Sequence, residues 1–382
     1  MAVTRWPQGL QSAGVAAGIK GGDALDLGFL VADGPAVWAG VFTTNAAAAA
    51  CVAWCRARLG GTVRGVVVNS GNANACTGSS GRAAVEATAA AGAIALGCSA
   101  DEILVCSTGP IGIPLDARVI AAGLPVAMAS LSPDASAFSR SIMTTDTYPK
   151  VSSATAGGAL VTGVAKGAAM IAPNMATMLA FVGTDARVPA DELQASLGWA
   201  VERTFNRLSL DACESTNDSV VALATGAGPE VDANALRAGL LEVCAGLATK
   251  IARDAEGATK LVRVRVKGAR DEEHAVALGR AVAASDLWRA AVHGGDPNWG
   301  RVLAAVGSAD RNLDLGAVSV SVGGELLFER GEPAGVLAAA AAAMRDGEFS
   351  VEVMLGQGHG SAEVLTADLS EEYVTLNAEV TT

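Results

Sequence analysis

A chain of 382 residues, of which 51% are apolar and 17% charged, can bury one large hydrophobic core or two to three smaller ones, which excludes a disordered protein. The formal net charge is −12 and no basic stretch offsets it, so we expect no nucleic-acid partner. The seven cysteines include no CxxC pair, and no apolar run is long enough to span a bilayer. We therefore expect reduced thiols, no metal, no membrane contact and a cytoplasmic location.

Predicted strands and helices alternate along most of the chain. Short Val-rich runs bounded by Gly, Asn or Asp predict strands at 28–32, 36–43, 64–69, 103–107, 159–166, 178–184, 260–267, 318–322, 351–355 and 373–378. Apolar residues three and four apart predict helices at 82–96, 115–129, 190–203, 233–253, 272–284 and 333–344. Several strands follow one another directly, so we predict mixed α/β layers rather than a purely parallel sheet.

Two local patterns limit the chemistry further. Arg263, Arg265 and Lys267 alternate with valine, which is typical of a strand with one solvated face. His274 follows Asp271-Glu-Glu in a predicted helix, where we expect a solvated position. None of the three histidines has a GxSxG motif to serve, so a Ser-His-Asp enzyme is not expected.

The most informative stretch is Lys166-Gly-Ala-Ala-Met-Ile-Ala-Pro-Asn-Met-Ala-Thr177. Thr177 opens a predicted strand directly after a Pro-Asn turn, so the peptide bond before it lies at a tight junction. Strain there would favour attack of the Thr177 hydroxyl on the Ala176 carbonyl, and hydrolysis would then free the Thr177 α-amine. That amine, with a pKa of about 8, can act as the general base for its own hydroxyl. For the Ala-Thr pair alone, an ordinary strand threonine is the alternative.

Ordered blocks along almost the whole chain resemble the ornithine acetyltransferase family, which includes bifunctional enzymes of arginine biosynthesis. Besides the stretch ending at Thr177, the blocks are Val41-Phe-Thr-Thr-Asn45, Asn69-Ser-Gly-Asn-Ala-Asn-Ala75, Ser107-Thr-Gly-Pro-Ile-Gly112, Ile142-Met-Thr-Thr-Asp-Thr-Tyr-Pro-Lys150, Ser215-Thr-Asn-Asp218, Asp254-Ala-Glu-Gly-Ala-Thr-Lys260, Gly295-Asp-Pro-Asn-Trp-Gly-Arg301 and Asn377-Ala-Glu-Val-Thr-Thr382. Each block alone is a weak signal, and their fixed order makes the set specific. The chain departs from the family pattern at Pro110, Ala169 and 211–215 without losing a proposed catalytic group.

The resemblance implies a self-cleaving acyltransferase of the N-terminal-nucleophile type that works by double displacement. Thr177 would take acetyl from N2-acetylornithine and pass it to the α-amine of glutamate, as in a glutamate N-acetyltransferase. In bifunctional members acetyl-CoA is a second donor, which adds an amino-acid N-acetyltransferase activity, and no other cofactor is implied. Cleavage at Ala176/Thr177 would leave an α fragment, 1–176, and a β fragment, 177–382, with two copies of each in a heterotetramer.

The resemblance also assigns roles in the site. Thr108 and Gly109 match the oxyanion-hole pair, although Ser107-Thr-Gly-Pro on its own is typical of a simple turn. Substrate-binding positions match Thr144, Lys166, Thr177, Glu256, Asn377 and Thr382. The simple assignment gives a substrate carboxylate to Lys166 and an ammonium to Glu256. Thr145 is the alternative to Thr144, and we expect a C-terminal strand over 373–380 to carry the last two positions into the pocket.

Other functions remain open from the sequence. An N-terminal-nucleophile amidase or aminopeptidase would use the same threonine and give its acyl group to water, so only acceptor selectivity separates it from a transferase. A non-catalytic protein would use self-cleavage only for its maturation. The departures from the family pattern also leave room for a paralogue with a different acceptor.

Overall fold

The computed structural model describes residues 4–171 and 178–379, which form two β-sheets with helices packed on them. The larger sheet contains β1 (Leu10–Val15), β2 (Leu27–Phe42), β3 (Thr62–Ser70), β4 (Ile103–Thr108), β5 (Lys150–Ala156), β6 (Ala159–Lys166), β7 (Leu179–Thr184) and β8 (Ser219–Ala224). The smaller sheet contains β9 (Leu261–Ala269), β10 (Ser319–Val322), β11 (Glu325–Glu329), β12 (Glu332–Pro333), β13 (Glu348–Met354) and β14 (Gly360–Ala367). The helices are α1 (Ala50–Arg56), α2 (Gly78–Leu96), α3 (Ala117–Ala129), α4 (Ser136–Ser141), α5 (Ala190–Arg203), α6 (Ala233–Arg253), α7 (Glu272–Ala283), α8 (Asp286–Gly294), α9 (Trp299–Ala309), α10 (Leu337–Ala343) and α11 (Glu371–Glu379).

The larger sheet is divided into two halves by its longest strand. Its order is β4-β3-β2-β8-β7-β6-β5, with β1 also paired to β2. The first part of β2 pairs with β1 and β3, and the second part, from Val37 onward, pairs with β8. The register with β3 shifts between Val31 and Ala36. The intervening Asp33-Gly-Pro35 is a turn-forming sequence, which explains the irregularity there.

Two hydrophobic cores lie on opposite faces of the second half. Along β7, Leu179 and Phe181 belong to one core and Ala180 and Val182 to the other, because successive strand side chains point to opposite faces. The first core also contains buried residues of β3 and β4, on which α2 packs. The second core is closed by α5 and α6. The two sheet halves therefore lie between two layers of helices.

The two halves close on each other at the ends of β4 and β6. These strands are five positions apart in the sheet order, which would separate them by about 24 Å in a flat sheet with strands spaced by about 4.8 Å. Yet the Nζ of Lys166, the last residue of β6, lies 3.3 Å from the Oγ1 of Thr108, the last residue of β4. The sheet is thus folded over, and the two C-terminal strand ends meet.

The smaller sheet has one apolar and one charged face, as predicted. The valines of β9 are buried against α7, in a third hydrophobic core that also contains residues of α9. The basic residues of β9 face the other way and pair with glutamates on β13 and β14. These pairs are Arg263–Glu348, Arg263–Glu363, Arg265–Glu363 and Lys267–Glu352, at 2.6–2.9 Å. The predicted solvated strand face is confirmed.

The strands on either side of residues 172–177 are neighbours in the larger sheet. β6 and β7 pair in antiparallel register, with Lys166 opposite Leu179. The predicted nucleophile Thr177, the predicted cleavage partner Ala176 and the predicted C-terminal contact Thr382 lie outside the described residues.

The predicted strand at 373–378 is wrong, because these residues belong to helix α11. The Oγ of Ser370 accepts a hydrogen bond from the Tyr373 N–H at 3.0 Å, which is the usual cap of a helix N-terminus. Glu371 and Glu372 occupy the first turn, where the helix dipole favours acidic side chains. This local capping outweighs the alternation of apolar and polar residues that predicted a strand.

Two other predictions also need correction. The helix predicted at 333–344 begins only at Leu337, because Pro333 is paired in β12 opposite Phe328. His274 is buried, with 9% of its surface exposed, since α7 packs against β9 and β14. Within the described ranges no helix is both long and apolar enough to cross a membrane.

Candidate active site

Six of the predicted site residues line one cavity of about 420 Å³, where the two halves of the larger sheet meet. They are Thr108, Gly109, Thr144, Lys166, Glu256 and Asn377. Thr145, the alternative to Thr144, lines the same cavity. Five separate segments of the chain supply these side chains, so the fold brings together what the sequence holds apart.

Thr108 and Gly109 present two hydrogen-bond donors to the cavity. Gly109 has a φ of +139°, and a Cβ there would lie 2.4 Å from the Asn72 backbone nitrogen, so only glycine allows this approach. No backbone acceptor in the described part of the chain takes the Gly109 N–H. The Thr108 hydroxyl accepts from Lys166 Nζ and keeps its own proton for donation. The pair can thus stabilise an oxyanion.

Lys166 is a buried ammonium with 2% of its surface exposed. Burial lowers the pKa of Lys166, and the nearby carboxylate of Asp146 acts in the opposite direction. Asp146 forms its ion pair with Lys150 rather than with Lys166. A buried cation without an ionic partner among the described residues is well suited to bind a substrate carboxylate.

A buried carboxylate organises this side of the cavity. Asp146 Oδ1 accepts hydrogen bonds from Lys150 Nζ at 2.6 Å and from the Gly167 N–H at 2.7 Å. Its Oδ2 accepts from the Thr144 N–H at 3.0 Å. Although burial opposes ionisation, the charges of Lys166 and Lys150 hold the pKa of Asp146 below its usual range. Asp146 therefore fixes two cavity-lining segments at once.

Lys150 extends this support to the segment that carries Glu256. Lys150 also pairs with Asp254, whose carboxylate accepts from the Thr147 N–H at 3.0 Å. Two residues later, the Glu256 N–H donates to the Ala168 carbonyl at 2.9 Å. The buried ions thus hold the start of the Glu256 loop against the end of β6.

Glu256 is held by helix α11 rather than by a strand. Its Oε2 accepts a hydrogen bond from Asn377 Nδ2 at 3.0 Å, and the same amide group donates to the Tyr373 carbonyl at 3.0 Å. Asn377 reaches the cavity as predicted, but it lies in a helix rather than in the predicted strand. A carboxylate with one amide neighbour retains acceptor capacity for a substrate ammonium.

One loop, residues 211–218, binds the described residues on either side of 172–177. Asp211 accepts hydrogen bonds from the Met170 N–H at 2.5 Å and the Ile171 N–H at 2.7 Å. Asp218 Oδ1 accepts from the Met178 N–H at 2.9 Å, and its Oδ2 has no hydrogen-bond partner among the described residues. Burial raises the pKa of both carboxyls, that of Asp218 well above its usual range.

Sequence reasoning missed six charged residues of this region: Lys20, Asp146, Lys150, Asp211, Asp218 and Asp254. Asp146 and Asp218 lie inside recognised blocks, so their presence there was a usable signal. Lys20 lies outside every block, and its placement at the cavity depends on the fold. In the described part of the chain, no cluster of three or more His, Cys, Asp or Glu side chains is placed to hold a metal ion.

Comparison with known proteins assigns the family. The sequence profile of the ArgJ family matches residues 11–382. The Arginine biosynthesis bifunctional protein ArgJ of Thermus thermophilus is 46% identical over 387 residues, covering 99% of each chain. The protein of the same name from Thermobifida fusca is 42% identical over 386 residues and covers 100% of both chains.

A solved structure agrees with this result. The crystal structure of Arginine biosynthesis bifunctional protein argJ from Bacillus halodurans is 34% identical, with a TM-score of 0.50, over 52% of this chain and 98% of its own. The predicted mixed α/β layers are confirmed by the fold, and the resemblance to the ornithine acetyltransferase family is confirmed by the whole-length matches. The chain belongs to the ArgJ family.

Proposed function

We propose that this chain is a glutamate N-acetyltransferase of arginine biosynthesis that moves acetyl from N2-acetylornithine to glutamate through an ester on Thr177. The observation that carries the proposal is the convergence of Thr108, Gly109, Lys166 and Glu256 on one cavity in a member of the ArgJ family. The name of its relatives, Arginine biosynthesis bifunctional protein, supports the pathway. The word bifunctional supports acetyl-CoA as a second donor, used as a co-substrate.

Maturation would split the chain between Ala176 and Thr177. β6 and β7, which flank this bond, are hydrogen-bonded neighbours, so fragments 1–176 and 177–382 would stay joined in one sheet. The matched chain from Bacillus halodurans covers 52% of this chain. Residues 177–382 are 206 of 382 residues, or about 54%, so that chain has the length of one such fragment. Two copies of each fragment would assemble in the cytoplasm.

The first half-reaction would form the acetyl-enzyme. The Thr177 hydroxyl attacks the acetyl carbonyl carbon while its proton passes to the Thr177 α-amine. The resulting oxyanion accepts hydrogen bonds from the Thr108 hydroxyl and the Gly109 N–H. The intermediate collapses by breaking the amide C–N bond, and the α-ammonium returns the proton to the departing ornithine amine.

The second half-reaction reverses these steps with a new amine. The α-amine of glutamate attacks the ester carbonyl, and the same two donors stabilise the second oxyanion. Breaking the ester C–O bond gives N-acetylglutamate and restores the Thr177 hydroxyl. Lys166 would bind the α-carboxylate in both steps, and Glu256 would bind the side-chain ammonium of the donor. Thr144, Asn377 and Thr382 would complete the substrate contacts.

Intact-mass spectrometry tests the proposal. The wild-type protein should appear as two fragments split at Ala176/Thr177, and N2-acetylornithine should add one acetyl mass to the fragment that begins at Thr177. Glutamate should then remove that acetyl group as N-acetylglutamate. Thr177→Ala should give one inactive full-length chain.

Three results would count against the proposal. Two fragments from Thr177→Ala would refute the cleavage assignment. A wild-type protein that turns over without a split or without acetyl label would refute the nucleophile. Release of free acetate, with no transfer to glutamate, would identify a hydrolase instead.

A further inference from the structure

Lys20 is a second cation at the cavity, besides Lys166. The cavity includes both lysines in its lining. Partial burial lowers the pKa of Lys20 and the charge of Lys166 lowers it further, whereas the nearby carboxylate of Asp26 acts in the opposite direction. Its Nζ donates to the Met143 carbonyl at 2.6 Å and the Leu25 carbonyl at 3.1 Å. An ammonium has three donors, so one N–H remains for a ligand.

The position of Lys20 is built into the local structure. The buried carboxylate of Asp26 accepts hydrogen bonds from the Lys20 N–H at 2.9 Å and the Ala17 N–H at 2.6 Å. Gly71, with a φ of +91°, lets the Lys20 stem pass, because a Cβ there would lie 2.7 Å from Lys20 Cγ. Both Asp26 oxygens are occupied by these amides, and no carboxylate among the described residues forms an ion pair with Lys20.

The charges at the cavity fit a ligand with two carboxylates. Lys20 and Lys166 are its cations, and neither is paired with a carboxylate in the described part of the chain. Of the lining acids, Asp211 already accepts three backbone N–H groups. Glu256 is therefore the acid with capacity for a substrate ammonium, and two cations are left for substrate anions.

The two lysines have different neighbours in the lining of the cavity. Lys166 contacts Thr108 of the proposed oxyanion hole, whereas Lys20 contacts the carbonyl of Met143, beside Thr144. The α-carboxylate of an amino acid is bonded to the carbon that bears the reacting amine, so it belongs near the oxyanion hole and Lys166. A side-chain carboxylate two methylenes further along belongs near Lys20.

We infer that Lys20 is a specificity residue that binds the side-chain carboxylate of the acceptor amino acid. The inference rests on the proposed function, in which the acceptor is glutamate. The donor carries an ammonium at the corresponding end of its side chain. Lys20 can therefore form an ion pair with the acceptor but not with the donor. Lys20 is exposed, and its flexible side chain can withdraw when the donor side chain is present.

The two half-reactions, measured separately on the mature protein, test this inference. Lys20→Met should lower kcat/KM for glutamate by about 10- to 100-fold, the usual effect of losing a hydrogen bond to a charged group. Glutamine has the same shape without the charge, and its kcat/KM should change by less than about threefold. The preference for glutamate over glutamine should therefore collapse. The rate at which N2-acetylornithine acetylates the enzyme should also change little.

Two further variants separate the charge from the fold. Lys20→Arg should restore most of the preference, because it keeps a cation at this position. Lys267→Met removes a lysine that pairs with Glu352 on the smaller sheet, and it should leave the preference unchanged. An unchanged glutamate preference in Lys20→Met, or equal losses in both half-reactions, would overturn the inference. A wild-type protein that does not transfer acetyl to glutamate would instead refute the proposed function.

Discussion

The ammonium of Lys166 lies 3.3 Å from the hydroxyl oxygen of Thr108, across two strands that are five positions apart in the sheet order. The proposed carboxylate site and the proposed oxyanion hole are therefore in direct contact. A substrate held by Lys166 through its α-carboxylate has its reacting amine close to the hydroxyl and N–H donors. The Lys166 ammonium would bind the substrate carboxylate and also contacts the Thr108 hydroxyl of the proposed oxyanion hole. Loss of Lys166 should therefore affect both substrate binding and transition-state stabilisation.

We predict that Lys166→Met slows both half-reactions by about 100-fold or more, since a charged hydrogen bond and its effect on the oxyanion hole are lost together. This distinguishes it from Lys20→Met, which should affect mainly the glutamate step. Rates of enzyme acetylation and deacetylation, followed by mass spectrometry, measure the two effects. Equal activity of Lys166→Met and wild type in either half-reaction would contradict the shared role.

The pH dependence of the wild-type enzyme provides a second readout of Lys166. Burial lowers the pKa of this ammonium from the ordinary lysine value, and only the charged form binds carboxylate. KM for both amino acids should therefore rise with increasing pH. The midpoint of this rise should lie below the usual lysine pKa of about 10.4. Lys166→Met should lack this alkaline limb. Its persistence in the variant would assign the titration to another group.

We predict that Gly109→Ala lowers kcat by about 100- to 1,000-fold, the usual effect of losing one oxyanion donor. The added Cβ would lie 2.4 Å from the Asn72 nitrogen and 2.6 Å from the Gly71 carbonyl carbon, so the backbone must move. Gly97→Ala is the matched control, because Gly97 also has positive φ but has nothing within 4 Å of the added Cβ. Steady-state kinetics and thermal melting check both variants. Similar kcat losses in the two would show that backbone strain alone is responsible.

The sequence predicted those parts of the fold whose patterns are local. Strands such as β4 and β7 are continuous apolar runs, and the long helix α6 keeps its apolar spacing over five turns. β8 was missed although Ser219–Ala224 is as long and as apolar as β7. The C-terminal helix was missed because a short alternating stretch was preferred to the capping signal at Ser370.

The candidate site shows a different limit. The resemblance to a known family predicted that Thr108, Gly109, Lys166 and Glu256 belong to one site, and all four line the cavity. Lys20 could not be found in this way, because it reaches the cavity only when Asp26 holds its backbone and Gly71 leaves room for the lysine stem. Such convergence depends on strand register and sheet curvature, which a single sequence does not contain.

Asp218 is a buried carboxyl group, and its burial opposes the negative charge. We predict that Asp218→Asn slows the appearance of the two fragments by about 10- to 100-fold, since a carboxylate beside the Met178 amide is lost as a proton acceptor. Asparagine keeps the oxygen that accepts from the Met178 N–H, so the start of β7 should remain in place. Time courses of fragment formation on gels measure the rate, and an unchanged rate would contradict this role.

The same substitution should stabilise the fold, and the effect should depend on pH. Because burial raises the pKa of Asp218 in the folded state, the carboxyl costs stability above the unfolded pKa of about 3.9, and the cost grows as pH rises towards the folded value. In a Thr177→Ala background, where both proteins are single chains, Asp218→Asn should raise Tm by about 2–4 °C at pH 8. The gain should shrink as pH falls towards 5. Asp211→Asn should lower Tm instead, because both Asp211 oxygens already accept backbone N–H groups. A lower Tm for Asp218→Asn at pH 8 would show that its carboxylate stabilises the fold rather than strains it.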